Sequence, residues 1–565
     1  MTQPNRLIRV DVYTGKIYQQ ALKEDYTHLG GRGLTAKLVA EEVPSRADPL
    51  GRENKLVIAP GLFAGTPAPS SGRLSFGAKS PLTGGIKESN AGGTAARALA
   101  GLGIKALVFE GKPAKENQWQ ILRLKEETAE LLPAQELAGL GNYATVAKLK
   151  QTYGPRAAVI SIGPAGEKGL PSASIAVTDT EGRPCRHAGR GGLGAVLASK
   201  GIKAIVLEPG TSRNLPADPK RFRALAGEFS QNLARTKTAL TQQGTAMLVE
   251  IINHVGGFPT HNFREGKSPY AKELSGEKLV ALCQARGGKN GHHCSPGCPI
   301  RCSNVYYGPD GQYLTAGLEY ETIGLLGSNC GIGDLDAVAA LDYLCDDLGL
   351  DTMEMGAALG VAMEAGLVAF GDVAGVKNLL EKIARGDPLG RLLGHGAALT
   401  GKILGAKRIP AVKGQGISAY DPRALKGTGV TYATSPMGAD HTAGNCLPGR
   451  GNVDIHRPEG QVALSLTLQI ISAFCDLAGL CIFVGPVPEN LQTFDALLAA
   501  YLGGQVAAED LGRMVLRTEL AFNQGAGLGP ETNDLPAFFR EEPLGEKGLV
   551  FDVPREDLAT IFGGI

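Results

Sequence analysis

One stretch of this chain is written twice. NAGGTAARALAGLGIKALVFEG (residues 90–111) matches AGRGGLGAVLASKGIKAIVLEP (residues 188–209). At an offset of 98, Gly103-Ile104-Lys105-Ala106 falls on Gly201-Ile202-Lys203-Ala204, Val108 on Val206 and Glu110 on Glu208. Each copy reads as a glycine-rich turn, a small-residue helix and a short buried strand. Two copies are too few for a solenoid. They predict a half-domain duplicated about a pseudo-twofold axis. The second copy also matches GxGxxG at Gly189, Gly191 and Gly194. A dinucleotide fold wants a strand running straight into the first glycine and an acid about 20 residues on. TEGRPCRHA separates the preceding strand pattern from Gly189, and Glu208 comes too early. The glycines still offer backbone N–H groups at a helix start, which suits a phosphate or another anion.

The first 210 residues mix strands and helices, with RLIRVDVYTGKIYQQ a hairpin around Thr14-Gly15. From about residue 216 the pattern turns helical, and GAKRIPAVKGQGISAYDPR near 410 reads as a connecting loop. The expected fold is α+β: a β-rich N-terminal domain with an internal duplication (1–210), then two mainly helical domains (211–410 and 411–565) that enclose a cofactor. Lys plus Arg (57) balance Asp plus Glu (56), so no charge excess points to nucleic acid. Glycine, 79 of 565 residues, is about twice its usual share, so many backbone positions need a positive φ or a close approach. The N-terminus lacks a basic start followed by an apolar stretch, and no uninterrupted apolar run reaches the ~18 residues of a membrane span. A cytoplasmic protein is expected, whose ten cysteines are thiols or metal ligands.

Three of those cysteines stand in HHCSPGCPIRCSN, as Cys294, Cys298 and Cys302. Four-residue spacing would share a helix face, but Pro296, Gly297 and Pro299 predict a loop. In a loop three thiolates can converge. Three readings stay open: buried free thiols, a zinc site completed by His292 or His293, and a four-iron cluster. The cluster is favoured, and it requires a distant fourth cysteine. Cys481 is the best placed of seven candidates. CDLAGLC holds Asp476-x-x-Gly479-Leu480-Cys481, and CDDLGLD holds Asp346-x-x-Gly349-Leu350-Asp351, 130 residues earlier. Each reads as a helix stopped by a C′ glycine. Asp351 can cap the next helix, with Glu354 completing a capping box.

These segments together resemble the aldehyde:ferredoxin oxidoreductase family of tungsten or molybdenum pterin enzymes. GGRGLTAKLV (30–39), SSGRLSFGAKSPLTGGIKESNAGG (70–93), RHAGRGGLGAVLASKGIKAI, LEYETIGLLGSNCGI (318–332), ATSPMGADHTAG (433–444) and both DxxGL motifs carry the likeness, which covers almost the whole chain. The family commonly spaces its first two cluster cysteines C-x2-C; here the spacing is one residue longer.

The resemblance implies one metal held by two pterins, with a 4Fe–4S cluster beside it on Cys294, Cys298, Cys302 and Cys481. It implies that Arg73, Asn90, Gly92, Gly93, Arg186, His187, Gly189 and Arg190 line the cofactor on the first-domain side. His187 stands where the family is expected to carry a small residue. Arginine suits the pterin phosphates, because its fork donates two hydrogen bonds, and Mg²⁺ is expected to bridge those phosphates. Asp346, Gly349, Leu350, Asp351, Asp476, Gly479 and Leu480 would meet the two pterins from the other side, the carboxylates accepting hydrogen bonds. A bis-pterin centre has an approximate twofold, which the duplicated base and twin motifs would match.

Oxidising an aldehyde with water also needs a group that moves protons. His441, in ADHTAG, and Glu321 or Glu319, in EYE, are the candidates; the two glutamates would share a face if that stretch is extended. The implied activity is aldehyde to carboxylic acid, with electrons passing to ferredoxin or a small ferredoxin-like subunit. A homodimer is compatible with this. Two rivals stand beside it: low-potential reduction of an aromatic thioester on the same cofactor, and a zinc-stapled scaffold with no redox role.

Overall fold

The computed structural model describes residues 5–115 and 117–565. The duplication is visible as two six-stranded sheets. The first comprises β1 (Arg6–Asp11), β2 (Lys16–Ala21), β3 (Leu56–Pro60), β4 (Leu74–Lys79), β5 (Ile86–Ala91) and β6 (Ile104–Glu110). The second comprises β7 (Gln120–Leu124), β8 (Ala129–Pro133), β9 (Ala158–Ser161), β10 (Ile175–Val177), β11 (Arg186–Ala188) and β12 (Ile202–Leu207). The orders, β2-β1-β6-β3-β4-β5 and β8-β7-β12-β9-β10-β11, correspond strand for strand. In each sheet one neighbouring pair is parallel, β1 with β6 and β7 with β12.

The match reaches single residues. The β1–β6 register skips Lys105, and the β7–β12 register skips Lys203. The repeated Gly-Ile-Lys-Ala thus encodes the same β-bulge twice. Both lysines are buried. A buried ammonium needs acceptors. Lys203 Nζ donates to the carbonyls of Leu140 and Ile162, each at 2.8 Å, and Lys105 Nζ lies 3.4 Å from the Thr27 carbonyl. The sheets meet along their edge strands β5 and β11 and share one hydrophobic core.

After residue 216 the chain is mainly helical, as expected, beginning with the helix Pro219–Thr236. A three-stranded antiparallel sheet interrupts it (Lys289–His292, Ser303–Tyr307, Tyr313–Ala316). The sequence reading missed this sheet, because its strands are short and polar at one end. The cysteine run is the connection between the first two of these strands. Most helical residues up to about 439, together with 535–561, form one core; residues 470–522 pack instead against the first sheet. The helix Gln461–Ala478 is long and apolar enough to cross a membrane by length and composition alone. It is a core helix, packed between the helices Gly31–Glu42 and Ala508–Gly525.

Two details differ from expectation. A strand, β11, does run into Gly189. It is an antiparallel edge strand paired only with β10, so the site still lacks the parallel βαβ context of a dinucleotide fold. The second is Glu354, which completes no capping box. Its carboxylate accepts from the backbone N–H of Ala397 (2.9 Å) and Gly416 (2.8 Å), while the Asp351 N–H is taken by the Ser172 carbonyl.

Candidate functional site

The two DxxGL motifs form the same loop twice. Helix Leu335–Leu348 ends at Gly349 (φ +71°) and helix Gln461–Ala478 at Gly479 (φ +79°). In each the residue after the glycine bonds back five positions, Leu350 to Cys345 and Leu480 to Cys475, both at 2.8 Å. This is a Schellman stop, which favours glycine in the left-handed conformation. Each loop then docks on an equivalent place of the sheets. The Gly349 carbonyl accepts from Ser174 N, just before β10 (2.9 Å), and the Gly479 carbonyl from Arg73 N, just before β4 (3.1 Å). Asp351 N donates to Ser172 O (3.0 Å), and Cys481 N to Ser70 O (2.9 Å). A Cβ on Gly349 would stand 2.7 Å from Gly163 N, after β9, and one on Gly479 2.7 Å from Gly61 Cα, after β3. Both seams therefore need glycine for close approach as well as for φ.

Side chains then separate the copies. Asp476 accepts from Arg32 Nη1 (3.2 Å) and Asn90 Nδ2 (3.1 Å). Arg73 Nε fixes Asn90 through its amide oxygen (2.6 Å). Arg32 is fully buried and pairs with both oxygens of Glu519 (2.8 and 2.7 Å). Burial raises the Asp476 carboxyl, with Arg32 opposing. Burial and the Asp476 charge push Glu88 up to about 8. Asp346 has a different neighbour: its carboxylate lies 3.1 Å from His187 Nε2, and His187 Nδ1 lies 2.8 Å from Ser174 Oγ.

At the last motif position, Asp351 caps its helix through Met353 N (3.0 Å), lies 3.5 Å from Arg190 Nε, and stands 3.3 Å from where a Cβ on Gly189 would be. Buried Arg190 continues to Ser418 Oγ (3.2 Å) and to the carbonyls of Gly416 and Ala439. Cys481 faces the cysteine loop. Burial pushes its thiol up to about 12, and the charges of Cys294 and Cys298 add to this. Cys302 is raised by burial, then by Glu319, Cys294, Cys481 and Cys298. The four predicted thiols are thus within electrostatic reach of one another. Among the described residues no three His, Cys, Asp or Glu side chains converge as ligands of one ion would. The loop packs on the first sheet's glycines: a Cβ on Gly92 would lie 3.0 Å from Cys294 Sγ, and Gly93 N donates to Ser295 Oγ (3.0 Å). Arg186 is buried, donates to Ser303 Oγ (2.7 Å), and has an unpartnered Nε.

His441 Nδ1 lies 2.9 Å from Ser418 Oγ, and its Nε2 lies 3.2 Å from Glu321 Oε1. That carboxylate oxygen makes no aligned hydrogen bond, and the buried Tyr432 hydroxyl makes none either. The other oxygen of Glu321 accepts from Ala419 N (2.8 Å). Asp440, before His441, is buried; Lys87 (2.8 Å) and Arg190 nevertheless hold its carboxyl far below its ordinary range. The two glutamates do not share a face. Tyr320–Thr322 is helical, so Glu319 turns away to Thr245 Oγ1 (2.6 Å) and lies 3.7 Å from Arg186. Burial raises the Glu319 carboxyl against Arg186.

Sequence reasoning assigned no role to Arg32, Lys87, Glu88, Asp440 or Ser418. The first four stand in segments that carried the resemblance, as charged residues in glycine-rich or loop-like runs that the fold buries. Ser418 carried no signal.

The model of the N-terminal domain of aldehyde ferredoxin oxidoreductase matches residues 7–209, and that of its domains 2 and 3 matches residues 224–559. The tungsten-containing aldehyde ferredoxin oxidoreductases of Pyrococcus furiosus and Thermococcus kodakarensis are each 35% identical, over 96% of this chain and 92% of their own. The solved active-site complex of benzoyl coenzyme A reductase with 1,5-dienoyl-CoA superposes with a TM-score of 0.78 at 20% identity, covering 95% of this chain and 91% of that one. At that identity the likeness speaks to the fold alone. The two family models span both sheets, the cysteine loop, the twin motifs and the His441 loop, so the chain belongs to the aldehyde ferredoxin oxidoreductase family.

Proposed function

We propose that this protein oxidises an aldehyde to the carboxylic acid at a tungsten or molybdenum bis-pterin centre and passes the electrons through a 4Fe–4S cluster to ferredoxin or a ferredoxin-like subunit. The observation that carries this reading is the pairing of His441 with Glu321 beside two equivalent acid-bearing loops. The donor set suits the cofactor: two carboxylates in matching loops, a half-buried Arg73 beside the first sheet, buried Arg186 and Arg190 beside the second, and an Arg186 Nε without a partner. Asp476 and Asp346 would each take N–H groups of one pterin; Arg73, Asn90, Arg186 and Arg190 would face the phosphate-bearing ends, which Mg²⁺ would help to neutralise. Cys294, Cys298, Cys302 and Cys481 would bind the cluster.

When bound, the metal centre accepts the two electrons that leave the aldehyde. The overall reaction, aldehyde plus water to acid, releases two electrons and two protons. The chain's own residues must handle those protons. Ser418 orients the His441 ring through Nδ1, which leaves Nε2 for the substrate side and for Glu321. The ring can hold a proton at Nε2 and hand it to the Glu321 oxygen 3.2 Å away. Tyr420, 5.6 Å ring to ring from His441, and Tyr432 wall this corner and keep water out.

Anaerobic purification with elemental analysis, then an aldehyde panel with a viologen dye, tests the reading. Tungsten or molybdenum with about four irons per chain and dye reduction are expected. Zinc alone would make the protein a scaffold. A loaded centre that turns over no aldehyde would shift the activity to thioester reduction.

A further inference from the structure

A cavity of about 670 Å³ opens on the surface beside the cysteine loop, with Pro296 in its wall. Four arginines line it: Arg97 on the helix Ala95–Gly101, Arg156 in the turn before β9, Arg213 in the segment after β12, and Arg223 in the second turn of the helix Pro219–Thr236. All four are exposed, and none makes an ion pair or a side-chain hydrogen bond with another described residue. No carboxylate belongs to the lining. Of the neighbouring acids, Glu126 accepts from Thr211 N (3.0 Å), Asp218 caps its helix through Arg221 N (2.9 Å), and Glu208 pairs with Arg123 (2.6 Å). A chain with near-zero net charge therefore concentrates four arginines around a lining that holds no carboxylate.

That place is also where the cysteine loop reaches solvent. Gly297, between Cys294 and Cys298, is exposed at φ +79° with nothing packed on its Cα. We infer that this basic rim is the docking surface for an acidic iron–sulfur electron carrier of the ferredoxin class, seated over Pro296 and Gly297. The inference rests on the proposed electron route through Cys294, Cys298, Cys302 and Cys481. Charge complementarity selects the occupant. Cations spread over four separate elements suit the acidic face of a protein, whereas a single small anion would need side chains converging on one point. Such patches raise association rates, with strong dependence on salt.

The test uses the anaerobic holoenzyme and two acceptors: a two-cluster bacterial ferredoxin, and methyl viologen, a small dication. For R97E/R213E and R156E/R223E the KM for ferredoxin should rise by about tenfold or more, and the salt dependence of kcat/KM should flatten. Viologen turnover and iron content should stay at wild-type values, which also reports that the variants fold. The milder R97Q/R213Q should show the same effect at smaller size. An unchanged ferredoxin KM in both reversals overturns the docking surface and leaves the activity untouched. A wild type that reduces viologen but not ferredoxin overturns the choice of acceptor itself.

Discussion

The loop at Asp346–Asp351 and the loop at Asp476–Cys481 share a backbone, a stop signal and a docking mode, and differ in what their last residue does. Asp351 caps a helix and faces Arg190, whose other bonds run to Ser418 and the Ala439 carbonyl, and so to the His441 corner. Cys481 turns to the cysteine loop. On the proposed reading, one scaffold would serve the proton-handling side in one copy and the electron-carrying side in the other. Symmetry would then position a cofactor, and departures from it would give direction. The acid pockets differ too: Asp476 sits among Arg32, Asn90 and Glu88, and Asp346 beside His187.

The sharpest way to break this comparison is the same substitution at the two equivalent positions. Cys481→Ser should abolish or convert the cluster's EPR signal, whereas Asp351→Ser, which keeps a capping oxygen, should leave it intact. An unchanged signal in Cys481→Ser would move the fourth ligand elsewhere.

Next in size is the proton side. His441→Asn should keep wild-type metal, pterin and iron, yet lose about 10²-fold or more in turnover, the scale of a lost proton-transfer group. Loss of the metal centre would make the histidine a cofactor ligand; normal turnover would hand the role to Glu321 or Glu319.

Removing the shared feature should affect both halves. Asp476→Ala and Asp346→Ala should each lower metal and pterin content together. Full loading and normal turnover in both would leave the motifs as helix stops only.

The smallest expected effect concerns Glu88. Its carboxyl is raised from 4.5 to about 8 in the folded chain, so between those values the unfolded state has already lost a proton that the folded state keeps. That contribution makes stability fall as pH rises through the window. Asp476 is shifted the same way. Glu88→Gln should flatten the decline in melting temperature of cofactor-free protein between pH 5 and about 8. Parallel curves for variant and wild type would mean that Glu88 is ionised throughout.

Much of this was readable before any coordinates. The repeat of Gly-Ile-Lys-Ala predicted a duplication, and the sheets repeat it down to the bulged lysine. Pro296, Gly297 and Pro299 predicted a loop, and the cysteines lie in one. What stayed hidden was long-range. Arg32 and Asp476 are 444 residues apart, and no local pattern pairs them. Glu354 obeyed a capping spacing, yet tertiary donors outbid it: two backbone N–H groups from other segments needed its carboxylate. Glu319 and Glu321 diverged because a single helical turn replaced the extended backbone that alternation assumed.

The glycine seams bear on the order of assembly. Gly61 and Gly163 follow strands of sheets made entirely from the first 210 residues, while their partners Gly479 and Gly349 come 418 and 186 residues later. Closing so long a loop costs more chain entropy than closing a sheet. The base can therefore take shape before its lids arrive, and the seam at Gly479 closes the longer loop. Once backbone meets backbone at both seams, neither loop has room to lift without parting its main-chain bonds to Ser172 and Ser174 or to Ser70 and Arg73. A bulky prosthetic group held between these loops and the sheets would have to enter before both seams close, while the last third of the polypeptide is still undocked.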